Sequence, residues 1–295
     1  MTTATTGPSP SSFTVNGHTQ VYAILGCPVA HSLSPLMQNA AFAAAGIDAV
    51  YVPFPVQEAE LANAVTGLRA LAICGCNITV PHKEKVAEYL DYLSPDARTI
   101  GAVNTIVRNG DILEGHNTDA DGFITSLNRD LGFAPSGRRV LVLGAGGAAR
   151  ACVYALARAK AAQIYIANRN AMRAESICRD FAPVFPPTCL IPSGLETSSF
   201  TTACLDVDLI VNTTSLGLSE AAADPLPWGN INSKTLFYDV VYKADVTPMV
   251  ASARAHGLHA IDGLGMLIAQ GEQAFRIWTG IDPGDAMRRS LADLL

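Results

Sequence analysis

Short apolar runs alternate along this chain with longer segments whose apolar positions recur every three or four residues. The run "VYAILG" (21–26) predicts a strand, and "SPLMQNAAFAAAG" (34–46) a helix capped by Ser34, with Pro35 at its first position and Gly46 as its stop. A second strand follows over 49–54 and a second helix over 57–69. "LAICGCNITV" (71–80) predicts a third strand and 82–92 a third helix. "AVNTIVR" and "ILEGHN" flank Asn109-Gly110-Asp111, a hairpin signal. Strands alternating with helices imply an α/β fold with a largely parallel sheet.

A second unit begins near residue 120. A linking helix is expected over 120–131, then the continuous apolar strand "RRVLVLG", with alternation resuming through "AQIYIAN", "DLIVN" and "TLFYDVV". Residues 181–204 have no clear period, and the last 30 residues, from "GLGMLIAQGEQAFRIWTG", predict a long amphipathic helix and a short one. The opening "MTTATTGPSPSSFTVNGHTQ" has neither an apolar core nor a basic residue, and residues 1–19 are expected to be a disordered leader.

Composition narrows the function classes. With 295 residues and 49% apolar side chains, the chain can build two domains with real cores. A net charge of −6 argues against nucleic-acid or anionic-membrane partners, and no apolar run reaches the ~20 residues of a membrane helix. Seven scattered cysteines, an odd number without a second Cys-x-Cys pair or a histidine cluster, suit packing in a reducing cytoplasm and not a metal site.

"VLVLGAGGAARACVYALAR" (140–158) places Gly144, Gly146 and Ala149 in a G-x-G-x-x-A pattern between a strand and an alanine-rich helix. The first glycine permits the tight turn, the second lets backbone approach a pyrophosphate, and the small third residue lets helix and strand pack closely. Gly144, Ala145, Gly146, Gly147 and Ala148 are therefore candidate cofactor-binding residues. At the end of the next strand an NAD site usually carries an acid, but here stand Asn168, Arg169 and Arg173. Guanidinium groups pair with a 2′-phosphate that an acid would repel, so the expected cofactor is NADP.

The first half gathers polar residues at its strand ends: Ser32 and Ser34, Asn77 to Lys83, Asn104-Thr105, and Asn117-Thr118-Asp119. In open α/β sheets those ends line the ligand crevice. A cofactor domain beside a hydroxyl- and amide-rich pocket suggests hydride transfer on a small polyhydroxylated substrate.

The ordered motifs "HSLSP", "NITVPHKE", "GAVNT", "NTDADG", "GAGGAAR", "NRN..R" and "DGLGMLIAQG" resemble the shikimate dehydrogenase family from about residue 20 to 280. The resemblance implies an N-terminal α/β substrate domain (20–120 plus 264–295) and a Rossmann-type NADP domain (121–263). It implies reversible reduction of 3-dehydroshikimate to shikimate with NADPH, in aromatic amino-acid biosynthesis. Lys83 and Asp119 match the family's catalytic pair. Ser32, Ser34 and Tyr242 match its carboxylate ligands, and Thr79, Asn104 and Gln270 its ring-hydroxyl ligands. Thr213, Gly263 and Met266 fall on its cofactor side, the last two in the nicotinamide-side loop. His82 replaces a usual aromatic residue and reads as packing, Lys85 reads as solvated, and Asp119 could also cap helix 120–131. Asn170 stands where a threonine is usual, which keeps NAD open as a cofactor. A quinate/shikimate dehydrogenase using NAD, or a catalytically silent relative serving as a sensor, are the alternatives. The protein is expected to be a cytoplasmic monomer or homodimer.

Overall fold

The computed structural model describes residues 15–214, 224–243 and 245–292. The first 14 residues of the expected leader lie outside this set. Residues 16–19 make a turn, with the Thr19 amide on the Asn16 carbonyl and the Asn16 amide side chain on Asp48, which shortens the expected leader.

The first sheet is built from β1 (Gln20–Gly26), β2 (Ala49–Pro55), β3 (Gly75–Ile78), β4 (Tyr92–Leu93), β5 (Thr105–Asn109) and β6 (Ile112–His116). Their order is β2-β1-β3-β5-β6-β4. Strands β2, β1, β3, β6 and β4 all run one way and β5 alone runs against its neighbours β3 and β6, so the sheet is largely parallel, as expected, with one antiparallel strand. The reason is the hairpin: Asn109 pairs with Ile112, and Gly110 supplies the left-handed turn at φ 64°.

Helices α1 (Ser34–Ala44), α2 (Leu61–Ala70), α3 (Pro95–Ile100) and α4 (Asp119–Asp130) belong to this half. Ser34 is the first helical residue and not the cap; the position before it is Leu33, without a side-chain bond. Strand β3 is shorter than expected because residues 71–74 form the exit turn of α2, closed by Ile73 N–H on the Leu68 carbonyl. Expected helix 82–92 is instead a 3₁₀ turn, Lys85–Tyr89, followed by β4. Asp91 explains the change: its carboxylate accepts the Leu113 amide at 2.7 Å and Arg69 at 2.6 Å, drawing the chain onto the sheet edge. Helix α3 was not foreseen, although Ser94 caps it through the Ala97 amide and Gly101 ends it at φ 70°.

The second sheet comprises β7 (Arg139–Leu143), β8 (Gln163–Ala167), β9 (Cys189–Ser193), β10 (Leu209–Asn212), β11 (Leu236–Asp239) and β12 (Ala260–Ile261), in the order β12-β11-β10-β7-β8-β9. All pairings are parallel, and the order reverses at β7, the doubly wound Rossmann arrangement. Helices α5 (Gly147–Arg158), α6 (Ala171–Phe181), α7 (Ser198–Leu205) and α8 (Pro248–Ala255) cover it. The aperiodic stretch 181–204 thus holds β9 and α7, the latter capped by Thr197.

Helix α9 (Leu264–Thr279) and α10 (Ala286–Ser290) return to the first sheet, where Leu264, Ile268, Phe275 and Met287 join Tyr22, Ile24 and Phe42 in one buried cluster. Another cluster runs from Ile100, Phe123 and Leu127 into Val140, Val142 and the buried face of α5. That seam ties the halves together. It is reinforced by Arg150 on the Ile100 carbonyl, by Tyr154 Oη on Asp96 at 2.7 Å, and by Arg158 bridging Asp96 and Asp121. No helix among the described residues is long and apolar enough to cross a membrane.

Candidate active site

Register brings the polar residues of the first half together. Asn77 pairs with Thr105 and Thr105 with His116, so the C-terminal ends of β3 and β6 and the start of β5 share one edge. Thr79, Asn104 and Asp119 stand just beyond it. Two buried bonds rivet the edge: Asn77 Nδ2 donates to the Asn104 carbonyl at 3.0 Å and to Thr105 Oγ1 at 3.1 Å.

Lys83 follows the Val80–Pro81 turn, and its backbone is fixed where Val103 N–H donates to the Lys83 carbonyl at 2.7 Å. Its Nζ donates to Asp119 Oδ2 at 2.7 Å; the lysine side chain is 16% exposed and the aspartate 5%. The other carboxylate oxygen, Oδ1, accepts from Asn104 Nδ2 at 2.9 Å. Asp119 opens α4 but does not cap it, because Asn117 Oδ1 takes the Asp119 and Ala120 amides. Its carboxylate is therefore left for Lys83. Gln270, from α9, closes the group: Oε1 accepts from Asn104 Nδ2 and Thr118 Oγ1 at 3.3 and 3.4 Å.

A hydroxyl cluster lies nearby. Ser32 Oγ accepts the Ser34 amide at 3.2 Å and lies near the Tyr242 phenol. Ser34 lies near the Tyr51 phenol, which donates its one proton to Asn77 Oδ1 at 2.7 Å. Burial pushes both phenols above the ordinary tyrosine value, so each keeps its proton and can donate. Tyr51 was missed in the sequence, and Asn117 and Thr118 were named among the crevice-lining polar residues without a role of their own. Tyr51 carried no signal apart from its place on a strand, whereas Asn117 and Thr118 stood in a quoted motif. Thr79 is half-buried at the same edge, its amide on the Leu25 carbonyl.

His82 is buried, with Nε2 2.7 Å from the Val56 carbonyl, which fits a packing role. Lys85 pairs with Glu88 on the surface. Among the described residues no group of His, Cys, Asp or Glu is arranged to hold a metal, and the seven cysteines are free thiols.

At the second sheet, Gly144 turns at φ 108° beside Thr213, and a β-carbon there would stand 2.5 Å from Thr213 Oγ1. Gly146 precedes the first turn of α5, in which Gly147 and Ala148 lie, while Ala145 and Ala149 are buried beneath. This cradle of small residues at a helix N-terminus fits a pyrophosphate. Asn168 donates to the Asn170 carbonyl, and Asn170 caps α6 through the Met172 amide, which accounts for an asparagine at that position. Arg169 is exposed, whereas Arg173 donates to Glu84 Oε1 at 2.8 Å. Gly263 immediately precedes α9, and Met266 is 4% exposed, packed in the core between the halves and not on a loop. The two sites meet at one point: a β-carbon on Gly147 would come within 2.9 Å of Lys83 Cβ.

A Rossmann sheet whose phosphate turn abuts a lysine–aspartate pair on a second α/β unit defines a two-domain nicotinamide-dependent dehydrogenase. Residues 24–106 match the family model of the shikimate dehydrogenase substrate-binding domain, 128–266 that of shikimate/quinate 5-dehydrogenase, and 263–291 that of the shikimate 5′-dehydrogenase C-terminal domain. The chain belongs to the shikimate dehydrogenase family. It is 50% identical to the shikimate dehydrogenase (NADP(+)) of Geobacter metallireducens, covering 95% of this chain and 99% of the relative. The Thermus thermophilus shikimate 5-dehydrogenase, solved with NADP(H) and shikimate, is 36% identical with a TM-score of 0.80, covering 94% of this chain and all of that one. The Listeria monocytogenes enzyme, solved with shikimate and NAD, is 33% identical with a TM-score of 0.83, covering 94% and 98%.

Proposed function

We propose that this protein catalyses the reversible NADPH-dependent reduction of 3-dehydroshikimate to shikimate, a step of aromatic amino-acid biosynthesis. The observation that carries the reading is the Lys83–Asp119 pair, partly buried, 2.7 Å long and set against the phosphate turn at Gly147. In this reading residues 20–120 and 264–295 form the substrate domain and 121–263 the cofactor domain. The enzyme works in the cytoplasm, as a monomer or homodimer.

When bound, the dinucleotide supplies the hydride. Residues 144–148 and Thr213 would hold its phosphates and Arg169 and Arg173 its 2′-phosphate, with Asn168 beside the ribose and Gly263 and Met266 backing the nicotinamide. The chain's own work is proton handling and positioning. As the ketone oxygen gains negative charge, the Lys83 ammonium donates a proton to it, and in the oxidative direction the neutral amine takes the proton back. Asp119 holds Nζ in place and, as an anion with spare lone pairs, accepts from the neighbouring substrate hydroxyl. Asn104, Gln270 and Thr79 fix the ring hydroxyls, and Ser32, Ser34 and Tyr242 donate to the carboxylate. Tyr51, whose one proton goes to Asn77 Oδ1, lies beside Ser34 and steadies that group.

Initial rates with shikimate and quinate, each paired with NADP and NAD, test the reading. Shikimate with NADP should be fastest. Equal rates on quinate with NAD preferred would move the assignment to a quinate/shikimate dehydrogenase, and no turnover at all would leave a silent binding relative. Lys83→Ala should lower kcat by roughly 10²–10⁴-fold while calorimetry still detects shikimate binding; undiminished turnover would refute its role.

A further inference from the structure

The two halves also touch at the residue that follows Lys83. Glu84, next to Lys83 on the first half, meets Arg173 of α6 on the second, Oε1 to guanidinium at 2.8 Å. The same Oε1 lies 3.8 Å from where a β-carbon on Gly146 would stand. A carboxylate thus sits at the mouth of the phosphate turn, bound to an arginine suited to a phosphate. Both side chains are about half exposed, so solvent and ligands reach the pair.

We propose that Glu84 is a nucleotide-selectivity residue: its carboxylate stands in for a cofactor phosphate and is exchanged for it on binding. This rests on the reading of the site as an NADP site. A cofactor with a 2′-phosphate takes Arg173 from Glu84 and replaces one anion by another of higher charge. A cofactor lacking that phosphate offers Arg173 no partner, and the Glu84 pair persists across the crevice. Glu84 therefore lowers affinity for NADP by competition.

The size of the effect follows from exposure. Half-exposed ion pairs are weak, and breaking one corresponds to at most about fivefold in an equilibrium constant. Dissociation constants for NADP and NAD should be measured by calorimetry on wild type, Glu84→Gln, Arg173→Gln and the double variant. Glu84→Gln should tighten NADP about three- to fivefold and leave the change for NAD smaller. In the Arg173→Gln background the same substitution should change NADP binding by less than about twofold. Unchanged or weakened NADP binding in Glu84→Gln, or equal tightening in both arginine backgrounds, would overturn the proposal. Wild-type protein that binds no NADP would instead overturn the reading of the site on which the proposal rests.

Discussion

Asp239 is a carboxylate in a place that penalises its charge. It ends β11 with no exposed surface, and the three donors around it are neutral: Asn212 Nδ2 and Val241 N–H on Oδ1, Thr247 Oγ1 on Oδ2. Burial pushes its carboxyl from 3.8 up to about 6, against the pull of these bonds, and nearby Asp262 adds to the push. The native state therefore binds this proton more tightly than the unfolded chain does. The stability it contributes is complete below about pH 4 and is lost as pH rises through about 6. Two units correspond to about 3 kcal/mol at most. Asp239→Asn keeps the Oδ1 acceptor and turns an amide toward Thr247, whose hydroxyl can rotate to accept it. The variant does not titrate. Urea unfolding of both proteins at matched pH cancels the other titrating groups to a first approximation. Between pH 4.5 and 7.5 the difference in unfolding free energy should move in favour of the asparagine variant by about 1–3 kcal/mol. A difference that stays constant, or moves the other way, would refute the reasoning.

Two further substitutions test the build of the site. Gly147→Ala places a methyl 2.9 Å from Lys83 Cβ and 3.4 Å from Ala102 Cβ, an overpacking worth about 1–3 kcal/mol. Because the lysine stem must yield, kcat should fall by up to about 10²-fold, and normal kcat with normal Tm would contradict the contact. Tyr51→Phe leaves Asn77 Oδ1 buried without the donor now 2.7 Å away, costing about 1–3 kcal/mol, and it takes a hydroxyl from beside Ser34. KM for shikimate should rise more than kcat falls, and steady-state rates showing an unaltered KM would remove Tyr51 from the carboxylate site.

What could be read in advance depended on how local the cause was. The Gly144–Gly146 turn, the buried strand "RVLVL" and the Asn109–Asp111 hairpin are each specified within a few residues, and each formed as expected. Residues 82–92 show the opposite case. Val86, Tyr89 and Leu90 have helix-compatible spacing, but Asp91 answers to Leu113 and Arg69, and those distant anchors decide the conformation. The polar network was visible as residue types and not as a network, since Asn104 and Gln270 are 166 positions apart. Capping misled in a particular way: Ser34 and Asp119 look like caps, yet Ser32 and Asn117 take the helix-start amides. That substitution frees the two residues the site uses.

The position of Asp119 relative to the seam bears on how the site is held. Helix α4, which it opens, packs Phe123 and Leu127 into the core shared by both halves, and Ser126 Oγ accepts from Tyr238 Oη of β11 at 2.9 Å. The carboxylate is thus borne by the element that joins the halves, and its lysine partner leans on Gly147, at the start of the helix on the other side of that seam. The 2.7 Å Lys83–Asp119 contact therefore stands where the two halves are packed against each other. The Glu84–Arg173 pair lies one residue along, tied on one end to α6 and on the other to the turn bearing Lys83. Proton handling and the proposed cofactor discrimination therefore share one turn, in which Lys83 meets Asp119 and Gly147 and Glu84 meets Arg173.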